Sequence, residues 1–221
     1  MKKIVFTAVL FTICTIAAVG QSLNKSKIDT LLNAIAADNQ SMGSLAIAHN
    51  GTVVYQKAIG AATITAGHQT PANIKTHYRI GSISKLFTAT MIFQLIEQGK
   101  LTLDTKLSVY YPQIPNADKI TVSQMLSHRS GLYNFVRDST YQVYMLKPRT
   151  EAEMLATFAA QPSDFEPDSK ADYSNTNYVL LGYIIEQVTK KPYSAALKLL
   201  ITTKTGLIDT YYGAKISAVK N

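Results

Sequence analysis

Ser82-Ile83-Ser84-Lys85 sets a hydroxyl and an ammonium three residues apart at the head of an apolar run. On a helix, residues i and i+3 share a face, so the Lys85 amine reaches the Ser82 oxygen. A helix start adds backbone N–H groups and a positive dipole end, which favour an alkoxide and the oxyanion formed when it attacks a carbonyl. A lysine on an apolar helix also resists charging, which prepares it to take a proton. Serine and lysine together then do what serine and histidine do elsewhere. The pattern alone is common, since about one S-x-x-K is expected by chance in a chain of this size. Ser22-Leu23-Asn24-Lys25 is such a match, on a polar segment where nothing desolvates the lysine. The plain alternative for Ser82 is a helix cap with Lys85 at the surface, and the apolar neighbours of Lys85 argue against it.

Tyr173-Ser174-Asn175 is the only Y-x-N pattern around the 13 tyrosines, and it stands at the start of an amphipathic stretch. By itself it reads better as a packed tyrosine before an ordinary Asn cap. Beside Ser82 and Lys85, the tyrosine oxygen gains a role in passing a proton between nucleophile and leaving group. Asn175 offers an amide to substrate and to Lys85. His49, His68, His77 and His128 are far apart, with no helical pair and no cysteine partner. Neither a metal nor a cofactor is called for.

These side chains need elements to hold them. Apolar residues at Ile28, Leu31, Leu32, Ile35 and Ala36 predict a helix over 24–37 that packs on something. Residues 44–49 and 52–58 flank Asn50-Gly51, a strong signal for a two-stranded hairpin. Residues 60–76, rich in Ala, Thr and Gly, hold one further short strand before a loop. From 84 to 98 the pattern is helical and nearly apolar all round, which places that helix at the centre of a domain, ended by Gly99. Thr121 with Gln124, and Thr150 with Glu153, match the capping box, with Gly131 terminating the first of these helices. Two more helical runs cover 177–189 and 192–201.

The chain of 221 residues opens on Met-Lys-Lys and runs without charge over 4–19 to small residues at Ala18 and Gly20. That predicts a signal peptide over 1–20, too short for a stable membrane span after cleavage, and places the protein in the periplasm or outside the cell. The sole cysteine, Cys14, leaves with it. About 200 residues remain, enough for a globular core. The net charge of +8 becomes +6 without Lys2 and Lys3, and the remaining lysines are scattered. A solvated basic surface explains them better than nucleic-acid binding.

Four collinear segments carry a resemblance. They are Arg79-Ile-Gly-Ser-Ile-Ser-Lys-Leu-Phe-Thr-Ala89, Gln94-Leu-Ile-Glu-Gln-Gly-Lys-Leu-Thr-Leu-Asp104, Met125-Leu-Ser-His-Arg-Ser-Gly-Leu132, and Asp172-Tyr-Ser-Asn175 followed by Gly182. Together they resemble the penicillin-recognising serine hydrolases, in the branch of class C β-lactamases and DD-carboxypeptidase-like proteins. The resemblance implies an α+β fold, an antiparallel sheet with packed helices plus a helical domain, and an active site between the two. On that reading residues 21–80 supply the N-terminal helix and hairpin, and 81–221 the active-site helix and helical domain. It implies catalytic Ser82, Lys85 and Tyr173, substrate-binding Asn175, and substrates among β-lactams, D-alanyl peptides, related amides and esters. Peptidoglycan is a further expected partner. His128 and Ser130 are read as structural. The family's third motif is matched in letters by Lys204-Thr205-Gly206, but no strand-like run precedes it, so Gly206 is read as ending a helix. The strands and final helix that follow in the family are expected to be missing, which predicts that 21–221 is an incomplete, inactive enzyme. The alternatives are a non-catalytic module recognising peptidoglycan or peptide, and an esterase or D-amino-acid amidase on the same fold.

Overall fold

A computed structural model describes residues 23–37, 41–65 and 68–213. The leader expected over 1–20 lies outside them. The chain divides into two compact units, one ending at Tyr78 and one running on from Arg79.

In the first unit, α1 (Lys25–Ala37) begins where the Asn24 side chain accepts the Lys27 N–H at 3.0 Å. None of its residues is fully buried. Ile28, Leu32, Ile35 and Ala36 are half-buried, while Leu31 is exposed. Strands β1 (Gly43–His49) and β2 (Thr52–Ile59) pair antiparallel, and α1 lies against β2. Asn50 and Gly51 both take positive φ, 49° and 76°, which gives the turn a twist that matches paired strands. Residues 60–76 differ from the sequence expectation. They hold two strands, β3 (Ala61–Thr65) and β4 (His68–Pro71), in a second hairpin separate from the first. Four residues ending in proline carry little strand signal of their own, and pairing with β3 supplies it.

The second unit is helical. Its lead helix α2 (Ser84–Glu97) follows a 3-10 turn over Gly81–Ile83. Gly99 closes it with φ of 67°, its N–H donating to the Ile96 carbonyl and that of Lys100 to Leu95. Burial is one-sided, contrary to the all-round expectation: Thr88, Met91, Ile92 and Leu95 are buried, but Leu86 is 67% and Phe93 53% exposed. An apolar sequence does not say which side finds a partner. The side that does packs on α6 (Asn175–Thr189), whose Leu180, Leu181, Ile184 and Ile185 are buried.

Between them lie α3 (Val122–Leu126), α4 (Tyr141–Tyr144) and α5 (Glu151–Ala159). Both predicted capping boxes form, at Thr121–Gln124 and Thr150–Glu153. The terminator of α3, however, is His128 rather than Gly131. His128 takes φ of 57°, and the N–H groups of His128 and Arg129 donate to the carbonyls of Met125 and Gln124. Gly131 serves a close approach instead: a Cβ there would stand 2.0 Å from the Phe165 carbonyl oxygen. After α6, α7 (Tyr193–Leu197) runs through a π-helical stretch, Lys198–Thr202, to a last turn at Thr203–Thr205. Gly206 ends that turn in the left-handed region, φ 71°, so Lys204-Thr205-Gly206 sits on a helix end and not on a strand. Among the described residues no helix is long and apolar enough to cross a membrane.

Candidate active site

Ser82 lies in the 3-10 turn that feeds α2, and no side chain caps either that turn or the helix. Lys85, one turn on, points back along the same face, its Nζ donating to Ser82 Oγ at 3.2 Å. The third member comes from 91 residues downstream, where Tyr173 places its hydroxyl 2.7 Å from Ser82 Oγ. Asn175, the first residue of α6, accepts from Lys85 Nζ at 2.8 Å through Oδ1. Ser82, Lys85, Tyr173 and Asn175 are thus brought together, and all four belong to the unit that begins at Arg79.

The lysine head is not on bare aliphatic surface. Its Nζ lies 4.9 Å from the centre of the Tyr173 ring and 5.6 Å from that of Tyr178, where ring faces attract a cation. For the Tyr173 phenol, burial works to raise the pKa. Hydrogen bonding with Lys85 and Ser82 and the lysine charge outweigh it and hold the group below its ordinary value. Tyr173 is 44% exposed, so an incoming acyl group can reach the shared proton.

The Tyr173 segment is extended and gripped from several sides. Arg137 Nη2 donates to both carboxylate oxygens of Asp172, at 3.0 and 3.1 Å. Buried Asn134 accepts the Asn175 N–H at 3.1 Å and its side-chain amide at 3.2 Å, and its own Nδ2 donates to the Tyr173 carbonyl at 3.4 Å. The Asp172 N–H donates to the His128 carbonyl at 2.9 Å, and the Ser174 N–H to His128 Nδ1 at 3.2 Å. The imidazole stacks on Tyr173 at 4.5 Å and on Tyr178 at 5.2 Å between ring centres. Burial, seconded by the Lys85 charge, lowers its pKa, which keeps the ring neutral. Ser130 donates from the core to Asn177 Oδ1 at 2.5 Å and accepts the Leu132 N–H at 3.1 Å, which ties its loop to α6.

Asn134 and Arg137 carry no local signal in the sequence, because their hydrogen-bond partners around Tyr173 lie roughly 35–41 residues away along the chain, which spacing does not encode. For Asp172 the clue was present, adjacent to Tyr173. His128 reads as structural in the sequence, and its helix-ending position comes only from the structure. Beside Lys85 and Asn175 a cavity of about 600 Å³ opens, with aromatic walls from Phe135, Tyr141, Tyr178 and Tyr183 and with Arg149 on its lining. A carbonyl carbon next to Ser82 would meet a nucleophile, a two-member proton relay and an orienting amide, which is the equipment of acyl transfer.

The sequence profile of the Beta-lactamase family matches residues 29–221. A beta-lactamase from Providencia stuartii is 29% identical over 218 residues, 96% of this chain and 54% of that protein. The esterase EstB from Burkholderia gladioli is 26% identical over 83% of this chain and 50% of its own. Among solved structures, a D-amino acid amidase from Ochrobactrum anthropi, complexed with L-phenylalanine amide, superposes with a TM-score of 0.72 at 30% identity, over 84% of this chain and 52% of that one. The chain spans about half the length of the curated relatives it matches.

Proposed function

This chain belongs to the beta-lactamase family, and from that premise we propose that it is an exported serine hydrolase that forms an acyl-enzyme at Ser82. The observation that carries the reading is that one exposed serine oxygen is within hydrogen-bond reach of both Tyr173 and Lys85. Ser82 Oγ attacks the acyl carbonyl carbon as its proton passes to the Lys85–Tyr173 unit. Negative charge gathers on the carbonyl oxygen, and the helix start beside Ser82 favours it. The tetrahedral adduct collapses, the bond to the leaving nitrogen or oxygen breaks, and the relay returns a proton to it. Water, deprotonated by the same unit, then releases the acid and regenerates Ser82. The hydrogen-bonded relay of Lys85 and Tyr173, rather than either residue alone, is the proposed base. Asn175 holds the lysine head through Oδ1 and, with one Nδ2 hydrogen bonded to Asn134, has the other to give to substrate.

The acyl donors proposed are β-lactams, D-alanyl peptides and related amides and esters, with peptidoglycan as the natural source of the peptide. The aromatic cavity beside Asn175 has room for an acyl side chain. A second reading, esterase or D-amino-acid amidase, is supported by the likeness to EstB and to the amidase. Incubating the full-length protein separately with a penicillin, a p-nitrophenyl ester and a D-amino-acid amide, followed by peptide mass spectrometry, tests both. The expected result is an adduct on the Ser82 peptide that disappears in Ser82→Ala. An adduct and turnover with ester or amide but not with penicillin favours the second reading. No adduct with any donor overturns both and leaves a non-catalytic module for peptidoglycan or peptide. Export to the periplasm or the medium rests on the charged start and apolar run of residues 1–20, and N-terminal sequencing of the mature protein should begin near Gln21.

A further inference from the structure

We propose that His128 is a positioning residue for Tyr173, gripping the chain on both sides of the tyrosine and backing its ring so that the phenol stays on Ser82. The inference rests on the acyl-transfer reading for its consequence, but its geometry stands apart. A helix that ends in the left-handed region is served most often by glycine or asparagine, and histidine is a less common residue that the region also admits. His128 holds φ of 57° at that position in α3. Helix termination makes no use of an imidazole, so the ring is available for other contacts.

What the ring does is specific. Alternate N–H groups of the extended segment, those of Asp172 and Ser174, both donate to His128, one to its carbonyl and one to Nδ1. Tyr173 lies between these two anchor points, with its ring against the imidazole face. Because Nδ1 accepts a hydrogen bond, the neutral ring carries its proton on Nε2. Protonation at Nδ1 would set two donors against each other, release Ser174, and bring a second cation toward Lys85. The charged or titratable groups that face the ring are Tyr173 from the extended segment, Tyr178 from α6 and Lys85 from α2. A clamp of this kind works only with a neutral ring, and the loss of the clamp sets an acid limit on acylation, below the ordinary imidazole range.

The test uses His128→Gly and His128→Asn in the full-length protein, since both residues accept the left-handed backbone and neither supplies the ring. The first readout is acylation of Ser82 by a penicillin or activated ester. Its rate constant should fall by about tenfold to a hundredfold, the scale of a misplaced reacting group, while KM changes little. The acid limb of the pH profile should lose the His128 ionisation. The second readout needs no turnover: with tyrosines labelled at the ring carbon bearing the oxygen, NMR follows the phenol of Tyr173, assigned with Tyr173→Phe. In the unaltered protein this phenol ionises below the free tyrosine range, and in both variants its ionisation should move back toward that range. Unchanged acylation together with an unchanged Tyr173 signal would overturn the proposal, as would rate losses that merely track a lower melting midpoint in both variants. If the unaltered protein acylates with no donor, the functional reading fails, and the NMR shift still decides whether His128 positions Tyr173.

Discussion

In the unit ending at Tyr78, Tyr55 is the one buried apolar side chain among the described residues, whereas the unit from Arg79 buries a continuous cluster that runs from Met91 to Ile201. The first unit is held by strand pairing, a left-handed Asn-Gly turn and a polar knot in which Tyr55 and Lys57 both donate to Asp29, at 2.9 and 2.7 Å. Two-stranded sheets of that kind are marginal in water without further packing. The second unit is held by helix-on-helix burial, and the four candidate site residues lie on its two central helices, Lys85 and Asn175, or in the segments that lead into them, Ser82 and Tyr173. Packing that excludes water also fixes rotamers, so the unit with the core is the one able to keep a serine, a lysine and a tyrosine within about 0.5 Å of a productive arrangement.

The largest effects should fall on the relay. Lys85→Ala and Tyr173→Phe should each slow acylation by about a hundredfold or more, the scale of general-base loss. In the proposed relay the two act as one unit, so the double variant should be little worse than the poorer single one. Fully additive losses, measured as rate constants with one activated ester, would show two independent residues instead.

Core truncation comes next and separates the units. Leu180, fully buried, should cost about 2–5 kcal/mol on change to alanine. Leu31, 60% exposed on α1, should change stability by no more than about 0.5 kcal/mol. Denaturant titrations of the two variants compare them directly, and equal losses would break the contrast drawn above. Smaller than the Leu180 loss is that of the α5 cap, where Thr150→Ala should cost about 1 kcal/mol by removing the acceptor of the Glu153 N–H.

The smallest effect should be the pH response of the first unit. The Lys57 and Tyr55 hydrogen bonds hold the Asp29 carboxyl below its ordinary pKa, burial opposing them weakly. A carboxylate with a depressed folded-state value contributes stability above its unfolded pKa and loses it as pH falls through the folded one. Carboxyl NMR titration of Asp29 should therefore show a low midpoint, and Lys57→Ala should raise it. No change on that substitution would mean that the polar knot does not hold the hairpin to α1.

Much of this molecule is written locally. The Asn50-Gly51 turn, the two capping boxes, the left-handed stops at Gly99 and Gly206 and the shared face of Ser82 and Lys85 all depend on residues within five positions of one another. Their geometry follows from backbone dihedrals and i to i+3 reach, which sequence spacing states outright. Tertiary structure decided the rest. Which side of the uniformly apolar α2 is buried depended on where α6 packs. The left-handed residue ending α3 is His128 and not the expected Gly131, and its ring and carbonyl both meet the segment around Tyr173. The pairing of Ser82 with Tyr173 spans 91 residues. Residue types pointed to that pairing, but only the packing of α2 on α6 brought the two oxygens within hydrogen-bond distance, since contacts between remote segments are set by the shape of a shared core and leave no periodic trace in the chain.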